Sequence, residues 1–518
     1  MIRASVVKAC RLGTAAKWNQ HRIKMVDNYV AFQHFMHTAR IPCGTTSTAT
    51  NSHDSQIRWR FPVDDKTEGM IAQIHHQIAS QTCISTLNAV TPITHELMEE
   101  ALNILYEKVE SLRLCFRLRD NQLWVADMPR RVLDFKSVNG TDVEIEQNNL
   151  TKSPFDLHNG PLWKARLMTY PENAPCQFPE IKEKFPHQYD LLLSLHHAAN
   201  DGVVVMLVME LLHNIIDRLL QGLPVDRRPV GELRDSVEAR EMEDQIRTAL
   251  QNDPTRLAAA QREHEKSKHL PLLVEAYGSP REAEEPFTYY FPSVLLENDA
   301  VNRIIHKCRS LGVTLNSFFT AVNNTAMVEL ARDGGLKRNN YSITSIHPVN
   351  CRRLMKKSSI PYLGFHALPL CLNMVTPHNV KDHFWEYTKH LDTEFRKKIK
   401  ENWMIEERVV ASMLRPEGYS HNEYFSQPLP LTCDYGFTNL YSPGNTVEGN
   451  GKFVQVTAAH NQSIFHKGPY TFVGGVFGFR GHVRFEMSHS KITVSKEVTR
   501  MFFDKILTLI TDISNAII

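Results

Sequence analysis

The chemistry in this chain is concentrated in seven residues, His196-His197-Ala198-Ala199-Asn200-Asp201-Gly202. The run before them, YDLLLSLHH (189–197), is short, apolar and bounded by polar residues, the pattern of a buried strand. A histidine pair at a strand end is held rigidly, as a catalytic base must be. A neutral imidazole titrates near physiological pH and can take a proton from a hydroxyl or an amine. Asp201 can contact that imidazole or anchor the turn, and Gly202 permits a backbone conformation that other residues resist. The same residues admit two other readings. The pair can be structural, or His-His-x-x-x-Asp can ligate a metal, although no second ligand cluster has convincing spacing.

Elements around the motif give it a setting. Residues 203–220 form a helix apolar on most of its circumference, so the chain runs strand, tight turn, buried helix. Upstream, residues 94–112 place Leu97, Ala101, Leu102, Leu105, Val109 and Leu112 on one face, with Thr94 as N-cap. Arg113–Leu118 alternates like a strand, and 151–168 is a Pro/Gly-punctuated turn entering another. Residues 223–286 are rich in charge and proline and read as a solvated connector with helical stretches at 239–250 and 255–268. Beyond it, 298–311 is helical. Thr314 caps a helix to about Ala331, ending at Gly334-Gly335. Residues 340–349 are strand-like, 380–411 helical, 428–450 a loop region, 470–494 two strands and 496–517 an amphipathic helix.

Composition narrows the function classes. Of 518 residues, 42% are hydrophobic and 22% charged, which excludes a largely disordered or low-complexity chain. Fifty-nine basic against 57 acidic residues give a formal charge of +2, so nothing points to nucleic acid or an anionic membrane as partner. No stretch reaches the ~20 apolar residues of a membrane span. Nine widely spaced cysteines without a CxxC pair argue against a disulfide framework or a structural zinc, and fit a cytoplasmic, reducing setting. The first 26 residues are basic and free of acid, with Arg3, Lys8, Arg11, Lys17, Arg22 and Lys24. They resemble a mitochondrial presequence; an unstructured arm, or a start at Met25, fits them as well. The chain also carries 25 histidines, a surplus that the motif alone does not explain.

HHAANDG resembles the HHxxxDG motif of the coenzyme A-dependent acyltransferase superfamily. Its members include chloramphenicol acetyltransferase, the BAHD plant acyltransferases, yeast-type alcohol acetyltransferases and nonribosomal-peptide condensation domains. Other segments match in order. ALNILYEKVESLRLCFRL (101–118) resembles the family's first-helix pattern, with Glu107-Lys108-Val109 where many members carry Arg-His. PFDLHNGPLWKARL (154–167) resembles the FDLxxGPL segment of condensation-type members. GVTLNSFFTAV (312–322), HPVNCRR (347–353) and Leu363-Gly364-Phe365 resemble second-half segments, the last lacking the family's Asn. Asp434-Tyr435-Gly436-Phe437 resembles the BAHD DFGWG signature and Thr438-Asn439-Leu440 the SNLG of alcohol acetyltransferases; each departs at its final glycine.

The resemblance implies an α/β fold: two chloramphenicol acetyltransferase-like subdomains, mixed sheets flanked by helices, forming a V around a central active-site tunnel. The expected division is an N-terminal arm (1–56, unstructured or targeting), a first subdomain (57–222), a charged helical connector (223–290) and a second subdomain (291–518). His197 would be the general base for acyl transfer from acyl-CoA, as co-substrate, to a small-molecule alcohol or amine. No tightly bound cofactor and no metal is expected, and a monomer suffices. Asp201 would point away from substrate and pair with Arg352, or with Arg353. His196 and Gly202 would support the site, while Thr438 and Asn439 are candidates for the tunnel or oxyanion region. Two alternatives stay open. One is a free-standing condensation-type enzyme taking substrates from a carrier protein in trans. The other is a non-catalytic binding protein on the same fold, against which the intact His197, Asp201 and Gly202 argue.

Overall fold

The computed structural model describes residues 57–517 apart from 141, 281–287, 442–447 and 465–466. The N-terminal arm, with its presequence-like charge pattern, lies outside the described residues.

The first half contains β1 (Trp59–Pro62), α1 (Asp65–His75), β2 (Ser80–Ala89), α2 (His95–Lys108), β3 (Leu114–Arg119), β4 (Gln122–Asp127), β5 (Phe135–Asn139), α3 (Val143–Lys152), β6 (Trp163–Thr169), α4 (Pro179–Lys184), β7 (His187–Leu195) and α5 (Gly202–Leu220). Next come β8 (Glu232–Leu233), α6 (Val237–Asn252), α7 (Pro254–Lys266) and α8 (Leu272–Tyr277). The second half has β9 (Thr288–Leu295), α9 (Asn298–Leu311), α10 (Leu315–Asp333), β10 (Asn340–Asn350), β11 (Tyr362–Leu363), β12 (Ala367–Pro377), α11 (Phe384–Lys400), α12 (Trp403–Met413), α13 (His421–Ser426), β13 (Cys433–Asn439), β14 (Val454–Ile464), β15 (Tyr470–Phe479), β16 (His482–Ser490) and α14 (Lys496–Asn515).

Two mixed sheets organise these elements: a five-stranded one, ordered β14-β2-β7-β6-β5, and a six-stranded one, ordered β12-β10-β13-β15-β16-β9. A smaller sheet, β1-β4-β3, flanks the first half. Caps fix the helix starts. Thr94 Oγ1 accepts the Leu97 N–H at 3.2 Å, and Thr314 Oγ1 accepts the Ser317 N–H at 3.1 Å. The core of the first half gathers α2, β7 and the apolar face of α5, including Leu102, Leu105, Leu193, Val205 and Leu212.

The halves interlock. β14 leaves the second half and pairs antiparallel with β2 from Val454↔Ala89 to Ile464↔Ser80. Phe477 and Phe479 of β15 enter the first half's core with Leu363. The sequence gives no sign of this, because the periodicity of a strand does not name a partner some 370 positions away.

Three expectations are corrected. Residues 223–286 are not merely a solvated connector: Leu272, Leu273 and Val274 of α8 are buried in the second half's core, and Leu250 and Ala260 pack on Val409 and Val410 of α12. Residues 380–411 are two helices, broken where Asn402 takes a left-handed conformation at φ 54°. Gly202 has no positive φ; it is the first residue of α5. A glycine fits there because a Cβ would meet Leu440 Cδ2 at 3.1 Å.

Candidate active site

β7 delivers the motif. Its last residues are buried, and the His196 N–H bonds to Leu162 O at 2.9 Å as the strand ends. The chain then turns, with Ala199 N–H donating to His196 O at 2.9 Å, and α5 begins at Gly202. Asp201 is the N-cap of α5, its carboxylate accepting the N–H of Val203 at 3.1 Å and of Val204 at 3.3 Å. A 19-residue apolar helix locked at its first turn thus sets the position of the residues just before it.

His197 is half-buried. Its Nδ1 is 2.8 Å from the carbonyl oxygen of Asn200. A carbonyl only accepts, so Nδ1 carries the proton and Nε2 of the neutral ring keeps its lone pair. Burial lowers the His197 pKa; the Asn200 carbonyl and the Asp201 charge oppose that in part. The ring faces Phe365, centroid to centroid at 5.2 Å. Phe365 stands one residue after Gly364, whose φ of 109° only glycine adopts readily. Lys66 holds Phe365, its Nζ donating to the Phe365 carbonyl at 2.8 Å and lying 4.5 Å from the ring centroid.

Asn200, fully buried, orients His197 through its backbone and is itself held by Ser111, whose hydroxyl donates to Asn200 Oδ1 at 2.8 Å. Sequence reasoning did not single out Asn200 or Ser111. The only available signal was the position of Asn200 inside the turn.

Asp201 is 1% exposed. Arg352 binds both its oxygens, Nη1 to Oδ2 at 2.6 Å and Nη2 to Oδ1 at 3.2 Å. The His366 N–H adds a bond at 2.9 Å. Burial would raise the Asp201 pKa; the Arg352 charge and these hydrogen bonds outweigh it and hold the carboxyl below its ordinary value. Arg352 also donates to the carbonyls of Tyr362 at 2.8 Å and Gly364 at 3.2 Å, so the pair ties the motif to the segment that carries Phe365. Arg353 turns elsewhere, to Ile399 O and Asn402 Oδ1. Removing one partner of such a pair strands a buried charge, and Asp201→Asn should lose about 3–5 kcal/mol of stability. Urea midpoints of the two proteins check this. An inactive variant of unchanged stability would assign Asp201 a part in the chemistry.

His196 is 1% exposed and packs on the rings of Phe116 and Phe155, at 5.7 and 5.2 Å. Burial pushes its pKa down to about 3, so it stays neutral. Thr438 and Asn439 end β13 and precede Leu440, the residue against Gly202. The Asn439 side-chain oxygen accepts the Tyr441 N–H at 3.0 Å. Asp434 is buried in the scaffold, accepting the N–H of Leu272 at 2.6 Å and of Thr344 at 2.8 Å. No helix among the described residues is long and apolar enough to cross a membrane.

Comparison with known proteins is consistent with this geometry. Residues 71–335 match the family model of the condensation domain. No curated protein is significantly similar in sequence to this chain. Among solved structures, the TRI3 trichothecene 15-O-acetyltransferase of Fusarium sporotrichioides superposes with a TM-score of 0.61 at 11% identity, over 89% of this chain and 97% of its own. The condensation domain of the monacolin K polyketide synthase MokA gives 0.58 at 14% identity, over 88% and 97%. The starter condensation domain of rhizomide synthetase RzmA, in complex with C8-CoA and Leu-SNAC, gives 0.54 at 13% identity, over 90% and 97%. At such identities the likeness establishes the fold.

Proposed function

The chain belongs to the condensation-domain family, and from that premise we propose an acyltransferase that moves an acyl group from a coenzyme A thioester to an alcohol or amine, with His197 as general base. The observation that carries this reading is the His197 ring itself: half-buried at a strand end, its Nδ1–H committed to Asn200 O, its Nε2 free to accept a proton.

In the proposed step Nε2 removes the acceptor's proton as its oxygen or nitrogen attacks the thioester carbonyl. The new C–O or C–N bond forms, the C–S bond breaks, and the imidazolium returns the proton to the departing sulfur. A thiol of pKa about 8.5 leaves readily, so no acyl-enzyme is required. The developing oxyanion needs donors placed in advance. Thr438 and Asn439, at the end of β13 beside Leu440, are the candidates. Asp201, Arg352, Gly202 and His196 hold the scaffold and do not touch the reacting atoms.

A second reading is favoured by PFDLHNGPL (154–162) and by the condensation domains among the structural relatives: a thioester presented by a carrier protein. Supplying the same acyl group on coenzyme A and on a phosphopantetheinylated carrier separates the two. The proposed function expects acylated acceptor from the coenzyme A thioester alone. Product from the carrier thioester only would replace it with the second reading.

A further inference from the structure

The surface that the six-stranded sheet turns toward the first half is polar where burial alone would favour hydrocarbon. Along β16, Val483, Phe485 and Met487 enter the second half's own core, so Arg484, Glu486 and Ser488 point the other way. Opposite Glu486 on β15 stands Gly475, and beside Gly475 on β13 stands Thr438. A Cβ at Gly475 would lie 2.7 Å from the Thr438 carbonyl oxygen, so no side chain fills the space there. A small cavity of about 20 Å³, room for one water-sized group, opens at this point, lined in part by Thr438, Leu440, Asn461, Gly475, Glu486 and Ser488. Leu440 also packs against Gly202, which places the cavity beside the start of α5.

Glu486 is 4% exposed, and among the described residues its Oε1 accepts no hydrogen bond. Among the described residues its Oε2 accepts the Asn461 N–H alone, at 3.3 Å. His460 Nδ1 lies 3.3 Å from Oε1 but outside hydrogen-bonding geometry. Arg484, two residues along the strand, gives its hydrogen bonds to Ser293, Gln177 and His460 and acts on Glu486 through its charge alone. A carboxylate so deeply buried is costly unless a donor, best a cationic one, meets it. For a neutral donor a glutamine would serve with less desolvation; the charge of a carboxylate matches an ammonium group.

We propose that Glu486 is the specificity-determining residue for an acceptor that carries an ammonium group, anchored at Glu486 Oε1, and a separate hydroxyl or amine presented to His197. This deepens the acyltransferase reading and rests on it, but its test reads binding and not turnover. Affinities of the full-length protein for a series of ω-amino alcohols and for the n-alkanols of matching length are measured by calorimetry. The expected result is tighter binding of the amino alcohols by about tenfold at the best chain length. In Glu486→Gln that ratio falls to near one, and in Glu486→Asp it survives in part. Taking the ratio on one sample cancels any loss of folded protein. Equal affinities in the wild-type protein overturn the proposal whatever the variants do, and so does a preference that survives Glu486→Gln. Weaker binding of pantetheine to Glu486→Gln, with amino-alcohol affinity unchanged, would assign Glu486 to the thioester arm and also overturn it. Failure of the acyltransferase reading appears separately, as amino-alcohol selectivity without acyl transfer.

Discussion

His197→Ala should lower the rate of acyl transfer by about 10²–10⁴, the range that a positioned general base supplies, while the protein keeps its fold. Among the described residues the ring makes one hydrogen bond, to Asn200 O, and one aromatic contact, to Phe365. It is half-buried, so its loss opens no sealed cavity. Neighbouring structure is secured without it: Asp201 caps α5 and binds Arg352, and Asn200 is held by Ser111. Circular dichroism and the urea midpoint should therefore match the wild type, in contrast to Asp201→Asn. Because burial lowers the pKa of His197, the acid limb of kcat/KM should fall below the ordinary histidine value of about 6.5. Wild-type turnover in His197→Ala would remove the assignment.

The second large effect is acid unfolding, and it gives the histidine surplus a physical meaning. Five histidines beyond the candidate base are buried and held neutral. Burial pushes His196 and His347 down to about 3, and is the leading cause that takes His213, His366 and His489 down to about 4. The unfolded chain protonates these rings near 6.5, while the folded chain resists until much lower pH. Between those limits the unfolded state binds more protons, so stability is fully present above about 6.5 and falls as the pH drops toward 4. At pH 5 each ring accounts for about 1–2 kcal/mol of lost stability, and Asp434, whose carboxyl burial raises to about 6, offsets part of their sum because it takes up its proton in the folded state first. Urea midpoints measured from pH 7.5 downward should decline steeply below pH 6.5. His489 offers a control. Among the described residues neither of its nitrogens has a partner, and it packs on Tyr289 and Phe291, so His489→Phe keeps the aromatic contacts and should make the decline shallower by about one ring's share. A flat profile to pH 4.5 would contradict the account.

Local features were legible in the sequence because their determinants are local. The apolar run of β7, the break at Asn200-Asp201 and the largely apolar α5 follow from adjacent residues. So do the caps at Thr94 and Thr314. The partnership of Asp201 with Arg352, 151 positions away, was named through family resemblance and not through spacing. What stayed hidden depends on distant partners. The crossing of β14 onto β2 needs a register that periodicity does not encode. Leu272, Leu273 and Val274 sit inside a charged stretch, so composition averaged over the segment masked their place in the core. Asn402 looks like any helix residue until its φ is known. Glu486 alternates correctly in its strand, and only the glycine opposite it and the cavity the two line set it apart.

The central claim is acyl transfer from a thioester to an acceptor, and one measurement meets it most directly. The full-length protein is incubated with acetyl-CoA and a panel of alcohols and amines, and free thiol and acetylated acceptor are quantified together. The account predicts thiol release that depends on an acceptor, with one acetylated product for each thiol freed. Thiol release that proceeds equally without acceptor, or acceptor acetylation that is undiminished in His197→Ala, would contradict it.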